Sequence, residues 1–486
     1  MYTYEGVWIF NSIPGNYIFR FNTKHKYSTV QSRHILIFIT VRITTLLILT
    51  VRRWLSCGTL SIPIGIIIIL VLRCTELVNP LNSNGPDISG NIIIIDFFQY
   101  WMVLMCLLIL VLSTQASLQD LSSFNYRLLK LLFLVNFYLV IIFIGTQNMF
   151  SLFILFEISI IPIFIVILGW GYQPEKIKAA YSLFFFTAVS ASPIVTTLTY
   201  FFIGGSTMFL PDLGSYFHFT FYGEALNFIL LCGFLVKLPI YGLHLWLPLA
   251  HVEAPVYGSI ILAGILLKLG GLGILRLNST ITSYLTLNTF IVISLLSVAL
   301  VGATCLYTTD LKKIIAFSSV SHIAFSIIFL IRLSKIRRAS CMLIIIAHAF
   351  RSSGIFLIVY IFYLTRHSRN ILVNTGMLVV YPYTTFIWLM IIISRLGGPP
   401  AINMLAEVWC IIYRFMSFYK LFLLVAVGFM FARGYHFVLY STLSQSNTSW
   451  DVNLFRDTTK RVAFSVLALF HIVYTVYLCL LIRSFI

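Results

Sequence analysis

Long apolar runs, separated by short polar clusters, follow one another along nearly the whole chain from residue 35 onward. A membrane-spanning helix needs about 20 mostly apolar residues. On that measure the runs predict helices over 35–50, 60–78, 92–113, 128–146, 148–169, 179–204, 226–247, 258–276, 287–306, 311–331, 340–364, 375–408, 418–440 and 462–483, about fourteen spans. The expected fold class is an all-α polytopic membrane protein. Two of these runs cannot be straight helices. Pro239 falls inside the seventh, and "LGGPPAIN" (396–403) falls inside the twelfth, which is too long for one span. Counted from span 4, each broken helix is the fourth of five, in units of spans 4–8 and 9–13. Broken helices at matching positions of two halves point to an internal repeat with an ion pathway at its centre. The plainer alternative is that Pro and Gly are simply commoner in membrane helices. The expected organisation is an extension over 1–34, three helices over 35–127, one repeat over 128–276, a second over 287–440, and a last helix over 462–486.

Composition removes the other classes. Of 486 residues, 60% are hydrophobic and only 9% charged, with mean hydropathy +0.99, whereas soluble domains carry about 25% charged residues. The net charge of +18 does not indicate nucleic acid, because the basic residues form short clusters between apolar runs: Arg52-Arg53, Lys312-Lys313, Arg337-Arg338. They read as loop charges facing anionic lipid headgroups. The eight cysteines stand singly with no C-x-x-C pair, which indicates neither an iron–sulfur nor a zinc site. Residues 1–34 are basic and aromatic and have no apolar core of signal-peptide type; with so few apolar neighbours the arm is expected at the headgroup surface or on another subunit.

Against this background the ionisable residues inside apolar runs stand out. They are Glu157 in "SLFILFEISIIPIFIVIL", Lys237 in "FLVKLPIYGLHLWLPLAH", Lys268 in "GSIILAGILLKLGGLGILR", His322 in "SSVSHIAF", His348 in "IIIAHAFRSS" and Glu407 in "NMLAEVWC". A charge at such depth costs roughly 2.5–3.5 kcal/mol on insertion scales, so the chain must pair or hydrate these groups. A structural ion pair is the bland reading of Glu157 and Lys237, snorkelling that of Lys268, and a satisfied core imidazole that of each histidine. Lys268, however, lies at the middle of its span, and Gly264 and Gly271 beside it admit a neighbouring helix or water. Lys237, His244 and His251 are seven apart and would share a face if helical, while Pro239 and Pro248 would open backbone carbonyls. Glu157 precedes Lys237 by two helices, and the two are expected to face each other. Together these features describe a proton relay, with His244 and His251 as points where a proton enters and the other histidines as steps that titrate near neutral pH.

The stretch "KLPIYGLHLWLPLAHVEAPVYGSIILAGILLKLGGLGILR" (237–276) closely resembles the signature of the chain 4 family of NADH:ubiquinone oxidoreductase, respiratory complex I. "FEISIIPIFIVILGWGYQPEKIKAAYSLFFFTAVSASP" (156–193), "TDLKKIIAFSSVSHIAF" (309–325) and "PPAINMLAEV" (399–408) are similar to it too, in the family's order from about residue 92 to 440. The resemblance implies fourteen helices with two inverted five-helix repeats, and a role as a proton-translocating, antiporter-like subunit of the mitochondrial inner membrane. By residue it implies that Glu157 and Lys237 are the fifth- and seventh-helix pair, Lys268 the central lysine, His322 and His348 the histidines of helices ten and eleven, and Glu407 the glutamate that delivers the proton. It implies no cofactor in this chain, with NADH, FMN, iron–sulfur clusters and ubiquinone handled by other subunits. The implied partners are neighbouring antiporter-like chains, other membrane-arm subunits and lipids such as cardiolipin. Two positions depart from the family: Ala406 stands where Gly is usual, and Arg351 where a small or apolar residue is usual, next to the His348 region. The basic arm has little counterpart and suggests a divergent, protist-like mitochondrial form. The rivals are an Mrp-type cation/proton antiporter subunit, which would share nearly every motif, and a scaffold that has lost transport, against which Glu157, Lys237, Lys268 and Glu407 are all retained.

Overall fold

The computed structural model describes residues 97–117, 125–204, 208–210, 223–277, 284–330, 335–398, 401, 403–404, 406–408 and 422–445, all within the unit Val71–Ile486. The arm 1–34 and the spans predicted at 35–50, 60–78 and 462–483 lie outside them. The described helices are α1 (Phe97–Ala116), α2 (Tyr126–Gly145), α3 (Met149–Ile158), α4 (Ile161–Trp170), α5 (Lys176–Ile203), α6 (Gly223–Lys237), α7 (Trp246–Glu253), α8 (Val256–Ile261), α9 (Leu267–Arg276), α10 (Tyr284–Tyr307), α11 (Leu311–Leu330), α12 (Lys335–Arg366), α13 (Met377–Val380), α14 (Pro382–Arg395) and α15 (Phe422–Ser444), with a π-helical turn, Leu262–Leu266, joining α8 to α9. Each predicted span from 92–113 to 418–440 contains helix among the described residues, though not always over its full length. Among the described residues, seven helical stretches are long and apolar enough to cross a membrane.

Burial orders these stretches. The stretch α8–π–α9 and the core of α12 are almost wholly covered, whereas α5 buries only a third of its apolar window. The outer helices turn apolar side chains outward (Phe184, Phe185, Phe202 and Ile203 on α5), as a lipid- or subunit-facing surface requires. Small residues let the inner helices approach: a Cβ on Gly264 would meet Ile109 of α1 at 2.7 Å, and one on Gly271 would meet Ile345 of α12 at 3.1 Å. α10 packs on α11 and α15, and α11 on α12, which brings α9, α11, α12 and α15 around one interior.

The two predicted breaks are present, each for its own reason. α6 ends at Lys237, because Pro239 has no N–H to continue the ladder; a turn with Gly242 at φ +91° follows, and α7 starts at Trp246. The Trp246 indole donates to the freed Val236 carbonyl at 3.2 Å. α14 ends at Arg395, with Gly397 at φ +75° and the Gly398 N–H bonded to Ile393 O at 3.0 Å. This left-handed glycine closes the helix as a Schellman motif, and helical residues resume at 403.

Several sequence expectations need correction. The run 148–169 is two helices, α3 and α4, because Pro162 starts α4 and Ile160 N–H turns back to Glu157 O at 3.2 Å. The run 375–408 is also interrupted at Tyr381, ahead of Pro382. Lys237, His244 and His251 do not share a helical face, since they sit on α6, in the turn and on α7. Pro248 opens no backbone, because it occupies the first turn of α7, where N–H groups lack helical partners anyway. Lys312 is not a lipid-facing loop charge: it is buried near the start of α11 and donates to Ala254 O at 3.0 Å. Arg369 donates to Val252 O at 3.1 Å, so two cations meet the carbonyl end of α7, where the helix dipole favours positive charge.

Candidate functional site

The turn between α3 and α4 prepares the first part of the site. With Ile160 N–H bonded to Glu157 O, the Phe156 carbonyl is left without its helical donor; Ser159 Oγ donates to it at 2.9 Å and Lys237 Nζ at 2.6 Å. Lys237, 4% exposed, also lies 3.2 Å from Glu157 Oε1 and 3.2 Å from the centroid of the Phe156 ring. The ammonium thus trades lost hydration for a carboxylate, a carbonyl and an aromatic face. The predicted pair faces each other across the break in α6 and the break after α3. Each partner is placed by a helix end, where backbone groups are free.

Lys268 projects from the first turn of α9, directly after the π-helical turn. It is 2% exposed and does not reach lipid. Its Nζ bonds to Ala263 O, inside the π turn, and lies 2.8 Å from Nδ1 of His348 on α12. When the lysine carries its proton, Nδ1 accepts and the imidazole proton sits on Nε2. The His348 ring lies 6.2 Å from that of His322 on α11. Beyond it, 6.0 Å away with planes 25° apart, is His436 on α15, which sequence reasoning did not single out. Nε2 of all three histidines is buried with no hydrogen-bond partner among the described residues.

Glu407 follows the second break and is 5% exposed. Asn403 Nδ2 donates to its Oε1, and Arg433 Nη2 donates to Oε2 at 3.1 Å. Two further cations border this interior: Arg351, which the sequence already marked, and Arg395, which it did not. Arg351 donates to Ala347 O and Ser394 O, each at 3.0 Å, and Arg395 donates to Ser318 Oγ at 2.7 Å. Both are buried. Arg351 is held by these two backbone carbonyls and makes no hydrogen bond to His348 among the described residues.

His244 and His251 lie apart from these groups. The His244 ring sits against Tyr241 at 5.5 Å and Phe317 at 6.1 Å. His251 is fully buried and stacked on Phe356 at 4.9 Å. Three clusters result: Glu157 with Lys237, Lys268 with the histidines, and Glu407 with Asn403 and Arg433. No direct hydrogen bond or ion pair joins one cluster to the next among the described residues. Burial and pairing explain how the chain tolerates so many ionisable groups in its interior.

A multi-pass helical fold with broken helices and a buried series of lysine, glutamate and histidine defines the class of ion-translocating membrane proteins. Residues 146–432 match the family model described as NADH:quinone oxidoreductase/Mrp antiporter, TM, and the chain belongs to that family. It is similar to NADH-ubiquinone oxidoreductase chain 4 of Locusta migratoria, 37% identical over 71% of this chain and 78% of the relative. Chain 4 of Lumbricus terrestris is 32% identical over 82% of this chain and 87% of the relative. The fold matches a chain of respiratory complex I from Thermus thermophilus with bound NADH at TM-score 0.69, with 17% identity, covering 82% of this chain and 87% of that one.

Proposed function

We propose that this chain is a proton-translocating membrane-arm subunit of complex I in the mitochondrial inner membrane, driven by electron transfer from NADH to ubiquinone in other subunits and holding no redox centre of its own. In this reading Glu157 holds the charge on Lys237, Lys268 receives the proton and passes it through His348 and His322, and Glu407 delivers it. An opposite charge within about 4–6 Å favours the charged form of both partners. Drawing Glu157 away removes that support and releases the lysine's proton toward Lys268. His244 and His251 would serve the uptake side. The Lys268–His348 contact of 2.8 Å carries the reading, because a buried ammonium aimed at an imidazole nitrogen is a proton-transfer geometry rather than a packing one. The chain 4 relatives, at 32% and 37% identity over most of this chain, favour complex I over an Mrp-type antiporter. The remaining complex I subunits and anionic lipids are then its partners.

The test is proton translocation by the complex in liposomes, scored as protons moved per NADH oxidised. A Lys268→Ala complex should assemble on native gels, and its ratio should fall by the share this subunit contributes. An unchanged ratio in the assembled variant would refute the relay.

A further inference from the structure

α15 contributes a group that the relay described above does not use. His436 is 2% exposed within the apolar helix "FLLVAVGFMFARGYHFVLYSTLS". Its ring lies 6.0 Å from that of His322, with planes 25° apart, close to the 6.2 Å between His322 and His348. Three helices, α12, α11 and α15, therefore supply one imidazole each at nearly equal spacing, beginning at Lys268. One helical turn before His436, on the same face of α15, Arg433 holds Glu407 at 3.1 Å. An imidazole kept in the interior with Nε2 unpartnered pays a desolvation cost that a phenyl ring of similar size would avoid. That cost is understandable if the nitrogen exchanges protons.

We infer that His436 is a further proton-carrying residue, taking the proton from His322 on its way to Glu407. The inference rests on reading the chain as proton-translocating. In the step, protonated His322 gives one proton to the neutral ring of His436 and becomes neutral. His436 then gives that proton to the Glu407 carboxylate, which becomes a neutral acid and leaves Arg433 free to part from it. One positive charge moves and no bond other than N–H and O–H changes. At 6.0 Å between centroids the first transfer needs a ring reorientation or one bridging water.

The experiment compares His436→Phe, which keeps the ring and its stacking, with His436→Gln, which keeps polarity without titrating near neutral pH. Each is read in the assembled complex in liposomes beside Lys268→Ala. The expected result is normal assembly with the ratio of protons moved per NADH lowered, in both variants, to the Lys268→Ala value. A wild-type ratio in either His436 variant, with Lys268→Ala impaired, overturns the role of His436 alone. A wild-type ratio for Lys268→Ala overturns the translocation reading and this inference with it. Loss of assembly in both His436 variants would make the residue a packing element and also overturn the inference.

Discussion

Lys237 and Glu157 meet at 3.2 Å, each at the end of a helix that breaks beside it. The breaks and the ion pair are one device: the interruption after Glu157 frees the Phe156 carbonyl, and the interruption after Lys237 lets the lysine turn toward it. Lys237→Ala should therefore abolish most translocation through this subunit while leaving assembly largely intact. Proton uptake during NADH oxidation, with assembly followed on native gels, checks it. Full pumping by the alanine variant would make Lys237 a structural charge.

Glu157→Gln should be as harmful to pumping, and less well tolerated by the fold. It leaves an ammonium buried without its counter-charge, and removing one partner of such a pair costs about 3–5 kcal/mol when burial is complete; Glu157 is partly exposed, so the lower end applies. Glu157→Asp should be milder, since a carboxylate remains. Thermal stability of the purified complex and the proton-to-NADH ratio should rise in the order Gln, Asp, wild type.

At Gly397 backbone and chemistry coincide. Its φ of +75° suits glycine, and a Cβ there would stand 2.7 Å from Oε2 of Glu407. Gly397→Ala should cost about 1–3 kcal/mol in strain and push Glu407 off Arg433. The expected outcome is reduced translocation along with the stability loss. A variant with unaltered pumping would show that the position of Glu407 is not critical.

Gly233 tests packing apart from chemistry. A Cβ there would come within 2.9 Å of the Ser190 carbonyl on α5, and backbone cannot give way as a side chain can. Gly233→Ala should lower stability by about 1–3 kcal/mol, with the proton-to-NADH ratio unchanged in whatever complex assembles. A lowered ratio in fully assembled complex would mean that the α5–α6 spacing enters the transport path.

Apolar run length alone placed a helix in each described span from 92–113 to 418–440, because the bilayer fixes the length a span needs; it did not place the breaks at Ser159 and Tyr381. Pro239 and the pair Gly397-Gly398 determined the two breaks, since a missing N–H and a left-handed backbone are local facts. Glu157, Lys237, Lys268, His322, His348 and Glu407 were legible as single ionisable residues in uncharged runs. Their partners were not. His436 and Arg395 lay unremarked inside apolar runs, Lys312 read as a loop charge, and the turn at Ser159 was hidden inside an unbroken apolar run. Whether such a residue faces lipid, headgroup or interior depends on how each helix is rotated against helices distant in sequence. That rotation is set by side-chain packing between α9, α11, α12 and α15, which no single span encodes. Tertiary structure alone therefore decided that Lys268 meets His348, that His322 lies between two other imidazoles, and that Arg433 rather than Arg351 takes Glu407.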